Sequence, residues 1–216
     1  MNIFKIIIFG IMGLVIGYKI PDVSDKIIKY KRPETNIDEN SFLSSYIMKV
    51  LIAAVTAVLW ALSGSINYTI IGLLISAQIT IGIIIGYIDV KIRIVPNELV
   101  LAMVVSGIIF QILNYGFRAL IVAAITMIVM MGVFTAVAGF VGFGKVGAGD
   151  VKLAGAMGLG LGYPLIVTAV GIMAVSLLIF ILTGMALKKI YLSTMLPFAP
   201  FMIIGYITAF ISLLIL

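Results

Sequence analysis

Long, uninterrupted apolar runs constrain the fold of this chain more than any other feature. Several of them approach the ~20 residues that a helix needs to cross a bilayer. Their apolar residues are continuous and do not alternate with polar ones, which excludes a transmembrane barrel. The sequence therefore predicts an all-α, polytopic membrane bundle. The runs are 3–20, 46–63, 70–88, 99–114, 119–141, 164–187 and 197–215.

One further stretch, "VKLAGAMGLGLG" at 151–162, is too short to cross the ~30 Å apolar core as a straight helix. We expect a short or half-crossing helix that ends at Tyr163-Pro164 because proline disfavours continuation. The total is then about eight segments. The first run lacks an A-x-A-like cleavage site and precedes Pro21 and a charged loop, so we interpret it as a span and not as a signal peptide.

The chain contains no cysteine and no histidine. This excludes disulfides, thiol nucleophiles, Ser-His catalysis and the usual Cys/His zinc sites. We expect no metal and no cofactor, so any chemistry must come from carboxylates, lysines, hydroxyls or the backbone. The net charge of +6 resides in the connections and forms no basic face, so we expect no nucleic acid partner.

The basic residues also indicate an orientation in the membrane. They concentrate in four loops, 21–45, 89–98, 142–152 and 188–196, whereas the opposite connections hold little beyond Arg118. The positive-inside rule assigns these loops to the cytoplasm and both termini to the outside. Successive connections alternate between the two sides of the membrane only if residues 151–162 count as a crossing.

Most of the acidic residues have a simple explanation. Five of the eight lie in the charged loop 21–45 beside its lysines, as a solvated segment would have them. Glu98 follows Pro96-Asn97, where a first-turn acid complements the helix dipole. The two that remain, Asp89 and Asp150, lie at membrane boundaries and are either interfacial ion pairs or functional groups. The five loop acids are Asp22, Asp25, Glu34, Asp38 and Glu39.

The glycine-rich stretch "GFGKVGAGDVKLAGAMG" at 142–158 surrounds Asp150. It contains matches to G-x-x-x-x-G-K and to G-x-G-x-x-G, but no strand precedes them, so we reject nucleotide binding. Gly147 and Gly149 permit positive φ and expose their amides, which an enzyme that holds an extended peptide requires. Packing between helices is the alternative, and we prefer it for the later glycines.

A pair of facing aspartates would supply chemistry without histidine or cysteine. At close range both cannot remain ionised, so they share a proton. The ionised member can then take a proton from water while the protonated member polarises a peptide carbonyl. The sequence does not give the separation of Asp89 and Asp150.

Three segments resemble the type IV prepilin peptidase family. "YIDVKIRIVPNELV" at 87–100 is similar to its first aspartate motif, and "GAGDVKLAGAMGLGLG" at 147–162 to its second, G-x-G-D followed by Lys-Leu. "LPFAPFMIIG" at 196–205 is similar to its C-terminal proline-phenylalanine segment. The resemblance covers about residues 70–210, so we expect N-terminal spans over 1–69 and a peptidase membrane domain over 70–216.

The resemblance implies a GxGD-type aspartic endopeptidase with Asp89 and Asp150 as the catalytic pair. Its substrates would be pilin-like precursors, cut after a glycine that ends a short basic leader at the cytoplasmic face of the cell membrane. Bifunctional members carry zinc-binding cysteines in a longer loop and also N-methylate the new terminus. This chain is a short form without them, so we expect a peptidase only.

Substrate binding is assigned to Gly147, Gly149 and Glu98. Glu98 and the loop acids are candidates for receiving the basic leader. Two other functions stay open at this point: a small ion-coupled transporter, with Asp89 and Asp150 as cation or proton ligands, and a structural subunit of a secretion or pilus machine. Both acids lie at one membrane face, which is a feature against a carrier.

Overall fold

The computed structural model describes residues 3–34, 46–141, 147–188 and 196–215. Within these ranges the chain forms eight helices and the all-α prediction is confirmed. Six of the helices, α1 to α5 and α7, are long and apolar enough to cross a membrane, so the chain is a multi-pass membrane protein. The helices are α1 (Ile3–Lys31), α2 (Tyr46–Gly64), α3 (Thr69–Ile92), α4 (Asn97–Tyr115), α5 (Phe117–Val141), α6 (Ala148–Leu161), α7 (Leu165–Ala186) and α8 (Ala199–Ile215).

Helix α1 extends further than the sequence indicated. The expected end at residue 20, with a loop from 21, is wrong for residues 21–31, because the helix continues through Pro21 to Lys31. Proline removes one hydrogen bond, but here the following turns bury one stripe at helical spacing, made of Pro21, Ser24 and Ile28. The free energy gained by burying this stripe exceeds the cost of the hydrogen bond that is lost at Pro21. The remainder of the expected loop, with Asp38 and Glu39, lies outside the described residues.

Helices α1 and α2 form a tight hairpin through small residues. A Cβ at Gly13 would lie 2.6 Å from the Cβ of Trp60, and one at Gly17 would lie 2.7 Å from the Cβ of Thr56. Such close backbone approach is how helices associate in a membrane, where the hydrophobic effect does not drive them together. Trp60 is buried between these helices and donates a hydrogen bond to Thr80 on α3 at 3.0 Å.

Helix α6 lies in the centre of the bundle. It is buried from Leu153 to Leu161 and packs against α4 and α5 through its glycines. A Cβ at Gly155 would meet the Met131 side chain at 2.7 Å, and the Cα of Gly160 lies 3.2 Å from where Gly107 would carry a Cβ. The packing interpretation of these later glycines therefore agrees with the structure.

The chain passes from one end of the bundle to the other through α6. Its 14 residues span only about 21 Å. At its far end, the Gln111 side-chain amide on α4 donates to the carbonyls of Leu159 and Gly160 at 3.1 and 3.0 Å. These carbonyls lack helical partners, and an unpaired backbone group at membrane depth is costly. The polar side chain of α4 therefore lets a short helix end inside the bundle.

We call the end where α3 stops and α4, α6 and α8 begin the near end. Three ion pairs connect its helices: Lys49 to Asp22 at 2.6 Å, Lys31 to Glu98 at 2.6 Å and Lys91 to Asp25 at 2.8 Å. The first two are exposed, whereas the Lys91 side chain is only 8% exposed. The described parts of two basic loops, 21–45 and 89–98, therefore meet at this end.

Candidate active site

A cavity of about 210 Å³ opens at the near end. It lies between the turn that joins α3 to α4 and the start of α6. Asp89 and Asp150, which are 61 positions apart in the sequence, both line it. The other lining residues are Arg93, Ile94, Val95, Asn97, Gly147 and Gly149.

Asp89 is held in the last turns of α3. Its side chain is buried, with 4% of the residue exposed. One carboxylate oxygen, Oδ2, accepts a hydrogen bond of 3.0 Å from the backbone N–H of Ala199, the first residue of α8. A buried carboxylate needs such donors, because burial without partners costs several kcal/mol. The segment 196–205 therefore reaches the site through its backbone.

A sharp turn after Asp89 forms one wall of the cavity. Arg93 caps α3 in the left-handed conformation, with φ of 53°, and its N–H bonds to the Asp89 carbonyl at 2.9 Å. Pro96 then precedes α4, which begins at Asn97. A left-handed arginine is uncommon and such residues concentrate at functional sites. The sequence indicated Arg93 only as a topology signal, and Asn97 only as part of a motif.

Asp150 occupies the third position of α6. Its Oδ2 accepts a hydrogen bond of 3.1 Å from the N–H of Gly147, the residue before the helix. An acid in the first turn also complements the partial positive charge at a helix N-terminus. Both features fix the carboxyl group where α6 meets the cavity.

The two glycines of this motif serve close approach and not positive φ. Gly147 has a φ of −72°, and in the described residues the glycines with positive φ are Gly116 and Gly162. The positive-φ expectation is therefore wrong for Gly147 and Gly149. A Cβ at Gly149 would lie 2.9 Å from the Cβ of Val95, so glycine lets α6 begin directly against the α3–α4 turn.

Asp150 retains its proton to an unusually high pH. Burial is the largest cause and the negative charge of Asp89 is the second, while the N–H of Gly147 acts in the opposite direction. Together they raise the pKa of Asp150 from 3.8 to about 6. A carboxyl group that carries a proton near neutral pH beside a second carboxylate has the properties of an acid–base pair.

The other polar residues near the cavity form contacts within the protein. Lys152 donates to the side-chain oxygen of Asn97 at 3.1 Å and so joins the start of α6 to the start of α4. Glu98 does not line the cavity, and its carboxylate pairs with Lys31. Asp22 and Asp25 also pair with lysines of the chain. Their role toward a basic leader, like that of Glu98, stays a prediction.

The comparison with known families agrees with these observations. The sequence model of the type IV leader peptidase family matches residues 76–216, which contain α4 to α8 and most of α3. No curated protein and no solved structure matches the chain.

Proposed function

Since the chain belongs to the type IV leader peptidase family, we propose that it cleaves the short basic leader of pilin-like precursors, using Asp89 and Asp150 as a pair that activates water. Family membership makes it an aspartic leader peptidase. The observation that carries the assignment of the pair is that both carboxyl groups line one cavity.

The cavity supports a mechanism in which the two carboxyl groups carry out every proton transfer and end in the states in which they began. One aspartate is ionised and the other protonated. The ionised carboxylate takes a proton from water, whose oxygen forms a bond to the scissile carbonyl carbon, while the protonated carboxyl group gives its proton to the carbonyl oxygen. The resulting diol collapses when the C–N bond breaks, the amine takes a proton and a hydroxyl proton returns to the pair. No step requires a metal.

The distribution of charge supports a cytoplasmic position for this cavity. Basic residues crowd the near end, whereas Lys5 and Arg118 lie toward the other. By the positive-inside rule the near end faces the cytoplasm, where the basic leader of a precursor is found before export. The described basic residues at the near end are Lys26, Lys29, Lys31, Arg32, Lys49, Lys91, Arg93, Lys152 and Lys188.

The shape of the site supports a small residue before the cut. Gly149 and Val95 are in close contact across the start of α6, so the cavity of about 210 Å³ has little room beside the carboxyl groups. A glycine at the end of the leader places no side chain there. The hydrophobic helix that follows the cut can remain in the bilayer.

The experiment is single replacement of each aspartate in detergent-purified protein. Asp89→Asn and Asp150→Asn should each abolish cleavage of a pilin-like precursor with a basic leader, while the folded state persists. Glu98→Gln is the matched control, since Glu98 is a near-end acid that does not line the cavity; it should retain kcat, because its predicted role toward the leader concerns binding alone. Near-full activity of either aspartate variant would refute the pair.

A further inference from the structure

The geometry points to the backbone N–H of Ala199 as the positioning group that makes Asp89 the base and leaves Asp150 as the acid. This inference rests on the proposed function and deepens it. It gives the start of α8 a role in the reaction and assigns different tasks to the two carboxyl groups.

The contact between α8 and Asp89 has the properties that this role requires. The N–H of Ala199 lies 3.0 Å from Asp89 Oδ2, and both residues are buried. The amide of Phe198, one residue earlier, also interacts with this carboxyl group. Donated hydrogen bonds favour the ionised form of an acid because a carboxylate accepts them more strongly than a carboxylic acid does.

The environment of Asp150 differs in a way that separates the two roles. Its hydrogen bond comes from Gly147, at the start of its own helix and in an exposed position. The positive charge of Arg93 acts on Asp89, whereas the charge that acts on Asp150 is the negative one of Asp89. Burial disfavours a negative charge on both carboxyl groups, but at Asp89 the donated hydrogen bonds and Arg93 partly offset it, whereas at Asp150 the charge of Asp89 adds to it.

The interface between α3 and α8 fixes the position of the Ala199 amide. One face of α3 contacts α8 over three turns: Gln78 accepts a hydrogen bond from Tyr206, and a Cβ at Gly82 would lie 3.2 Å from the Ile203 side chain. A Cβ at Gly86 would lie 3.7 Å from the Cα of Pro200. Because Asp89 continues this face, α8 cannot shift without moving the donor.

With these roles the proton transfers have a direction. Asp89 takes the proton of the attacking water, and the carbonyl oxygen takes the proton of Asp150. As the C–N bond breaks, Asp89 delivers its proton to the leaving nitrogen and Asp150 recovers one from the diol hydroxyl. Both carboxyl groups end in the states in which they began.

The test replaces the amide of Ala199 by an ester, through incorporation of lactic acid at this position by nonsense suppression. The change removes one N–H and keeps the side chain. A hydrogen bond to a charged group is worth roughly one to two pH units, so the acidic limb of the kcat–pH profile, which reports the group that must be ionised, should move to higher pH by about that much. On this acidic side of the profile kcat at a fixed pH should therefore fall about 10- to 100-fold.

The same replacement at Ala209 is the matched control. Ala209 is also fully buried on α8, but its amide lies nearly three turns beyond the site. This ester should leave the pH profile unchanged. A reduced kcat at 199 without a shifted profile, or equal effects at 199 and 209, would overturn the inference. Cleavage by Asp89→Asn would instead refute the proposed function, so the two failures are distinguishable.

Infrared spectroscopy provides a readout that does not depend on activity. A protonated-carboxyl band that titrates near pH 6 should disappear in Asp150→Asn and persist in Asp89→Asn. The reverse pattern would overturn the assignment of the acid. In the Ala199 ester a second protonated-carboxyl band should appear on acidification at a pH where the unmodified protein has one.

Discussion

Replacing Asp150 by asparagine should stabilise the protein at neutral pH while it abolishes cleavage. The pKa of Asp150 rises from 3.8 to about 6 in the folded protein, mainly through burial. Each pH unit corresponds to ~1.4 kcal/mol, so ionised Asp150 destabilises the fold by up to about 3 kcal/mol. Asparagine carries no charge, and its side-chain oxygen can still accept the hydrogen bond from Gly147. A catalytic group that is costly to the fold is a common compromise between activity and stability.

The sign of the pH dependence follows from proton binding. Between pH 3.8 and about 6 the folded state binds more protons than the unfolded state, so this group's contribution to stability is complete at lower pH and is lost as pH rises through that window. The stability difference between Asp150→Asn and the unmodified protein should therefore be near zero below pH 4. It should reach roughly 2–3 kcal/mol above pH 7 and then stay constant.

Reversible unfolding in mixed micelles with increasing sodium dodecyl sulfate, repeated from pH 4 to pH 8, measures this difference. Asp25→Asn is a control of opposite sign, because Asp25 pairs with the largely buried Lys91 and its loss should destabilise the fold. In a protein that also carries Asp89→Asn, the stability gained from Asp150→Asn should be smaller but still more than half as large. The reason is that burial raises the pKa of Asp150 more than the charge of Asp89 does. A stability difference that does not vary with pH would refute the reasoning.

Three further outcomes can be measured. Gly149→Ala should lower kcat and destabilise the protein by about 1–3 kcal/mol through overpacking against Val95, whereas Gly171→Ala, which meets no atom within 4 Å, should be close to neutral in the same assays. Cysteines introduced at exposed Tyr30 and Leu187 should react with an impermeant reagent only from the cytoplasmic side and one at Phe117 only from outside; labelling of Leu187 from outside would invert the last two helices. Saturating chelator should leave cleavage unchanged, because the chain has no cysteine or histidine; inhibition that one added metal reverses would contradict the two-carboxylate mechanism.

The sequence was sufficient for the helices because burial in lipid requires long apolar runs, and these can be read directly. The position of Asp89 and Asp150 left open whether they are ion pairs or functional groups, and it was the resemblance of their two motifs to the peptidase family that selected them; their catalytic role stays a prediction. Their common cavity depends on how α3 and α6 pack against each other. That packing is set by Gly149 against Val95, a contact that no local pattern encodes.

The errors and omissions have physical causes as well. Pro21 looked like a helix end because its local cost is visible in the sequence, whereas the burial of Ser24 and Ile28 that compensates for it is tertiary. The donor at Ala199 could not be identified because it is a backbone amide, which every residue except proline carries. Arg93 was interpreted only by its charge, since its left-handed backbone is a property of the turn.

The ion pairs at the near end connect the first helix to the turn that follows Asp89. On α1, Asp25 pairs with Lys91 before the turn that follows Asp89, and Lys31 pairs with Glu98 after it. Neither α1 residue belongs to the segment 76–216 that matches the family. A shortened chain that begins at residue 76 would keep both aspartates but lose these two ion pairs, and the turn would then be less well ordered. The boundary of sequence similarity is therefore not a boundary of cooperative structure, because α1 supports the turn after Asp89 from outside the segment that matches the family.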